Sequence, residues 1–149
     1  MDFLKQNDPF SKKCEPEEEC LICSNEENRI SCKTSNIGYS ISCNVCKERG
    51  KEVSYEGESS RSGFIRMKEH VKDLEKKRKK SVLFKHVSKE HAEEEDTVNF
   101  SMKITGHFSK CITRQLDEGI RIRDKNPKYL LNSKSEFYAP SIKRKVFDH

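Results

Sequence analysis

The cysteines constrain this chain more tightly than anything else in its sequence. Cys14, Cys20, Cys23 and Cys32 follow one another as C-x5-C-x2-C-x8-C, and Cys43 and Cys46 form a second C-x2-C pair. Further on, His86 and His91 stand as H-x4-H, the ligand spacing of two-cysteine, two-histidine zinc sites. Four thiolates at short spacing can close a structural zinc tetrahedron with no open position for catalysis. The first cluster predicts such a knuckle over 14–34; its alternative is separate thiols, or a site shared with the second cluster. Cys43, Cys46, His86 and His91 predict a second zinc that staples a hairpin to the segment after the first helix. The alternative there is two solvated histidines on a polar helix. The seventh cysteine is expected to be an ordinary core residue.

Composition explains why metal is needed. Of 149 residues, 37% are charged and 32% hydrophobic, and there is no Trp. That leaves a thin core for one domain, so something besides apolar burial must hold it. No apolar run is long enough to span a bilayer, and the N-terminus lacks a signal-peptide core. The expected setting is therefore intracellular, without a membrane partner, where thiols stay reduced and bind metal. A net charge of +5 favours a polyanionic partner mildly, because acidic runs at Glu17–Glu19 and Glu93–Asp96 interrupt the basic ones.

Hydrophobic periodicity orders the rest. Residues 1–13 read as a flexible lead-in. Ile37, Tyr39, Ile41 and Cys43 alternate with small polar residues as a strand, and Val53 and Tyr55 begin a second strand, with the turn at Gly50. A helix is expected from Arg61 to Lys80, with i,i+4 pairs Asp73–Lys77 and Glu75–Lys79, and a shorter one from Ser81 to His91. Its basic end, Lys76–Lys80, is either a phosphate-backbone contact or a solvated face. Val98, Phe100, Met102 and Ile104 predict a third strand ended by Gly106. Ser109 is expected to cap a last helix running to Asp124, with Ile112, Leu116 and Ile120 on one face and Glu118 beside it. A basic tail occupies 139–149. The fold class expected is α+β: a small three-stranded, mainly antiparallel sheet flanked by helices.

One stretch carries candidate chemistry. Arg66 and His70, four residues apart, share a helix face, and the preceding turn can bring the Tyr55 hydroxyl towards it. A guanidinium, an imidazole and a phenol suit phosphate chemistry, although such residues are commonly solvated surface groups. Glu118 is the carboxylate that could hold a hard divalent cation beside a phosphate.

The order of these elements resembles the GIY-YIG endonucleases, in particular the nuclease domain at the carboxyl end of Penelope-like retroelement polyproteins. The resemblance rests on Ile37–Cys43, on Tyr55–Ser62 with Arg66 and His70, on Leu83–His86, on Thr113–Gln115 with Glu118, and on Leu131–Lys134. It spans roughly residues 14–143 and places the nuclease-like domain at 35–138. It implies hydrolysis of DNA phosphodiesters with one Mg2+ or Mn2+ held by Glu118, and structural Zn2+ at one or two sites. Tyr39 would activate the attacking water, with Tyr55 and His70 in its proton network. Arg66 would stabilise phosphate charge, and Asn132 would help arrange the site. DNA is the implied partner, with a reverse transcriptase domain in the same polyprotein and a nuclear location. Glu56 departs from the pattern, which has an apolar residue there; strand alternation turns it away from Tyr55, where it either faces solvent harmlessly or, if it faces the core, marks a degraded site. Two other classes stay open: a zinc-held nucleic-acid-binding module without cleavage, and a zinc-dependent protein-interaction domain.

Overall fold

A computed structural model describes residues 20–25 and 27–132; Cys14, the lead-in and the basic tail lie outside these. Among the described residues the architecture is α+β. Three strands, β1 (Ile37–Cys43), β2 (Ser54–Ser59) and β3 (Phe100–His107), form one antiparallel sheet in the order β2-β1-β3. Four α-helices accompany them: α1 (Asn44–Glu48), α2 (Gly63–Glu75), α3 (Val82–Glu90) and α4 (Cys111–Asp124). None is long and apolar enough to cross a membrane.

Register decides which side chains share a face. Tyr39 pairs with Gly57 of β2 and Ile104 of β3, and Ile41 pairs with Tyr55 and Met102. Cross-strand partners project to the same side. Ile37, Tyr39, Ile41 and Cys43 therefore form one apolar face with Met102 and Ile104. That face is fully buried, together with Ile22, Met67, Leu83 and Val87. The start of α2 lies directly on it, since a Cβ on Gly63 would come within 3.0–3.3 Å of Ile22, Ile104 and Ile37. The opposite face carries Gly38, Ser40, Ser42, Ser54, Glu56 and Glu58, and α4 packs across it.

Side chains pair some of the backbone groups on the sheet's two outer edges. On β3, Asn28 donates to the Met102 carbonyl at 2.8 Å and accepts from the Ile104 N–H at 2.8 Å. On β2, Asn132 does the same for one residue, accepting from the Glu56 N–H at 2.9 Å and donating to its carbonyl at 2.8 Å. These edge groups are thus satisfied without a further full strand.

Several boundaries differ from expectation. α2 begins after Ser62, whose hydroxyl accepts from the Ile65 N–H, and stops at Glu75, five residues early. Lys77 there takes a left-handed conformation (φ 52°), with Lys77 N–H on the Leu74 carbonyl and Arg78 N–H on that of Asp73, both at 3.0 Å. This is a Schellman ending, and it delivers Arg78 to the Asp73 carboxylate at 2.9 Å. The link between β1 and β2 is α1 rather than a plain hairpin turn, with Gly50 (φ 79°) reversing the chain after it. Gly106 lies inside β3, which runs on to His107. No side chain caps α4, so Ser109 does not fill that role.

The orientation of α4 is the largest correction. Its expected apolar face is turned outward, with Leu116 45% and Ile120 58% exposed, while Arg114, Gln115 and Ile122 are buried. The cause is the sheet face it covers. That face is polar, and arginines answer its carboxylates where leucine and isoleucine could not.

Candidate active site and metal centres

Tyr39 projects from the centre of β1 over Gly57, the one residue of β2 without a side chain at that point. A Cβ on Gly57 would come within 2.4–2.8 Å of the Tyr39 ring and hydroxyl, so this glycine is what admits the phenol. α2 supplies the groups that meet it. Arg66 Nε donates to Tyr39 Oη at 3.0 Å, and His70 Nε2 lies 2.9 Å from the same oxygen. Since an arginine can only donate, Tyr39 accepts from Arg66 and keeps its own proton, which it can give to His70 Nε2 when that imidazole is the Nδ1–H tautomer. Tyr55 completes an aromatic group, with ring centroids 6.3 Å from Tyr39 and 5.6 Å from His70.

Electrostatics hold this arrangement in one protonation state. Burial, helped by the Arg66 charge, pushes His70 down to about 4, so the imidazole is neutral and accepts. Burial above all, then Tyr55 and in small part Glu118, raises the Tyr39 phenol, against the pull of Arg66. Burial alone would lower Arg66, but Tyr39 and Glu69 outweigh it and keep it firmly cationic. Glu69 joins Arg66 at 3.1 Å to Arg61, which grips it with two bonds of 2.7 Å. Those contacts, the Arg61 bonds first, lower the Glu69 carboxyl.

Arg66 and Glu118 come from helices on opposite faces of the sheet. Glu118 is half-buried on α4, and its charge is felt at Tyr39. Asn132 touches the β2 backbone at Glu56 and is placed to set that strand rather than to meet Tyr39.

Glu56 is 1% exposed, so the solvent-facing alternative fails. It faces α4, where Arg121 binds its carboxylate at 2.9 Å and Ser40 and Ser54 donate at 2.7 and 2.9 Å. Arg121 also donates to the carbonyls of Tyr39 at 3.0 Å and Gly57 at 2.8 Å, and pairs with Asp117 at 2.8 Å. Arg114 makes the parallel contact, to Glu58 and to Asn36. Sequence reasoning missed Arg121, and gave no role to Glu69 or to Arg114, which entered only within the Thr113–Gln115 motif. The available signal was Glu56 itself, a carboxylate amid strand residues that calls for a buried cation.

Cys43 ends β1, Cys46 lies in α1, His86 in α3, and His91 follows α3 directly. His86 Nε2 and His91 Nε2 are 3.2 Å apart, and the Cys46 Sγ to histidine distances are 3.4 and 3.3 Å. Cys43 Sγ lies 3.6 Å from His91. A zinc tetrahedron has edges of roughly 3.4 Å between nitrogens and roughly 3.6 Å between sulfur and nitrogen, from its usual bond lengths. The donor set therefore fits zinc. His91 Nδ1 meets Glu94 at 3.0 Å, the carboxylate support typical of a zinc-bound imidazole, and Arg49 holds Glu94 in turn.

Cys20, Cys23 and Cys32 form a second group whose sulfur atoms all lie within 4.8 Å of one another, and this group also could hold zinc. Cys23 and Cys32 are 3.6 Å apart, and the Cys23 N–H points at the Cys20 sulfur, a knuckle bond. The expected fourth ligand, Cys14, falls outside the described residues. Cys111 is exposed rather than a core residue.

Comparison with protein-family models, curated proteins and solved structures finds no match. Function is therefore argued from the site.

Proposed function

We propose that this protein is a divalent-metal-dependent DNA endonuclease of GIY-YIG type, with structural zinc at its two cysteine clusters. The observation that carries the reading is the buried Tyr39 hydroxyl, held at once by Arg66 Nε and His70 Nε2. A phenol hydrogen-bonded by a permanent cation and a neutral imidazole is fixed in orientation and holds the guanidinium beside it in place. Arg66 is 28% exposed on its side chain, enough to reach an incoming phosphate and neutralise charge as the pentacovalent state forms. Tyr55, half-exposed beside His70, is the phenol nearest solvent and would orient the attacking water. Tyr39, 0% exposed, would act through the other two by fixing Arg66 and drawing on His70.

Glu118, on the helix of the sheet face opposite Arg66 and linked to the cluster by its charge at Tyr39, would supply a carboxylate for Mg2+ or Mn2+, ions that take one or two carboxylates together with phosphate oxygens and water. Such an ion would lower the pKa of a bound water and offset phosphate charge. The Penelope-like resemblance adds target DNA, a polymerase domain in the same polyprotein and a nuclear setting to this proposal. On supercoiled plasmid the protein should produce nicked circles with Mg2+ or Mn2+, and Glu118→Ala should lower that rate at least about a hundredfold. Equal nicking by the variant overturns the assignment of Glu118.

The full burial of Tyr39 favours one second reading, a zinc-stabilised nucleic-acid-binding module in which the tyrosine cluster is structural. DNA binding without any metal-dependent nicking would establish it.

A further inference from the structure

The aromatic residue least explained by the fold is Phe84. It is the third residue of α3, where its N–H donates to the capping Ser81 hydroxyl at 3.1 Å. Its neighbours Leu83 and Val87 are buried, and the core gathers partly buried aromatics such as Tyr55, Phe64 and Tyr129; Phe84 is half-exposed and outside that cluster. It lines instead a shallow, open depression on the surface together with Lys79, Lys85, Ser88 and Lys89.

Two independent segments build this depression. Lys85 and Lys89 are one helical turn apart on α3. Lys79 comes from the α2–α3 connection, which the Schellman ending and the Arg78–Asp73 ion pair hold in place. The basic loop is thus presented, not dangling. The nearest carboxylates along these elements are Asp73, engaged by Arg78, and Glu75 and Glu90, neither of which lines the depression.

A phenyl ring bordered by the stems of three exposed lysines, whose charged ends lie in solvent around it, is complementary to a flat apolar ring joined to anions. The geometry points to a stacking site for an unpaired nucleobase, with Lys79, Lys85 and Lys89 on the flanking phosphates, so that this surface binds single-stranded nucleic acid. In a duplex the base faces are covered by their neighbours and cannot reach the ring, whereas an unpaired strand offers them at every nucleotide. The inference deepens the nucleic-acid reading above without resting on cleavage. Because the depression is separate from Tyr39, Arg66 and Glu118, binding here and hydrolysis there can fail separately.

The chain contains no Trp, so Phe84→Trp provides a single indole reporter. Titrated with oligo-dT, oligo-rU or a duplex of equal length, without added Mg2+ or Mn2+, its emission should be quenched by the single strands and little changed by the duplex. Phe84→Leu should weaken single-strand binding in fluorescence anisotropy by roughly fivefold to a hundredfold, as loss of one stacked base does, and leave duplex binding unchanged. A triple change of Lys79, Lys85 and Lys89 to Gln should weaken it more than the same change at exposed Lys33, Lys51 and Lys110. Thermal melting identifies any variant that fails to fold, and the indole titration then decides alone. Quenching by DNA but not RNA, or the reverse, identifies the strand. Equal quenching by duplex, no quenching, or capture of an acidic peptide in place of oligonucleotide overturns the proposal.

Discussion

The two faces of the small sheet solve burial in opposite ways. The face of Ile37, Tyr39, Ile41 and Cys43 is apolar and closes on α2 and α3, with one polar cluster at Tyr39 and one metal-type cluster at Cys43. The face of Gly38, Ser40 and Glu56 is polar and closes on α4 through Arg114 and Arg121. The first gains from removing apolar surface from water. The second must match charge with charge, so its contribution depends on complete pairing. Both converge at Gly57, where the phenol of Tyr39 lies over one side and Arg121 binds the carbonyl.

Disrupting the Cys43, Cys46, His86 and His91 group, which could hold zinc, should break the apolar face most severely. A structural zinc contributes on the order of 10 kcal/mol or more, comparable to the whole stability of a domain this size. Cys46→Ser, or a strong chelator, should therefore abolish the cooperative melt and release zinc measurable by a colorimetric dye. An unchanged melt with unchanged zinc content would show that the four residues hold no metal.

The polar face breaks next. Arg121→Ala leaves a carboxylate 1% exposed with only two hydroxyls, and should cost about 3–5 kcal/mol in urea unfolding. Replacing the pair by packed apolar residues, Arg121→Met with Glu56→Leu, should recover most of that loss. If the single variant is as stable as the parent, the ion pair is not what joins α4 to the sheet.

A smaller effect distinguishes the faces by pH. His70 is depressed in the folded state to about 4, below its ordinary value near 6.5, so the fold favours the neutral ring. Its stabilising effect is present above pH 6.5 and falls away as pH drops towards 4, by on the order of 2–3 kcal/mol. His70→Gln should flatten the stability profile in that window relative to the parent. Parallel profiles would mean that His70 is not buried neutral.

Much of the apolar face was legible in the sequence because its signals are local. Alternation along β1 located Tyr39, and the i,i+4 spacing put Arg66 and His70 on one side of α2. The C-x2-C and H-x4-H spacings anticipated a donor set that the fold brings within 4.8 Å. The polar face was not legible, because its signals are long-range. Arg121 meets Glu56 across 65 positions, and nothing near either residue announces the other. Apolar periodicity also misled on α4, since Ile112, Leu116 and Ile120 recur correctly but the surface that α4 meets is charged. The early end of α2 was hidden for a similar reason: Lys77 takes a backbone conformation usually left to glycine.

Under the proposed function Arg66, braced by Tyr39, would act on the reacting phosphate and not merely on DNA as a whole. Cleavage and binding measured side by side on one labelled duplex, for the parent and Arg66→Ala, test it most directly. The expected result is a fall in cleavage of roughly a hundredfold to a thousandfold with affinity reduced only a few fold, since one cation aimed at developing charge differs from one backbone contact among many. Equal losses of binding and cleavage, or undiminished cleavage, would contradict it.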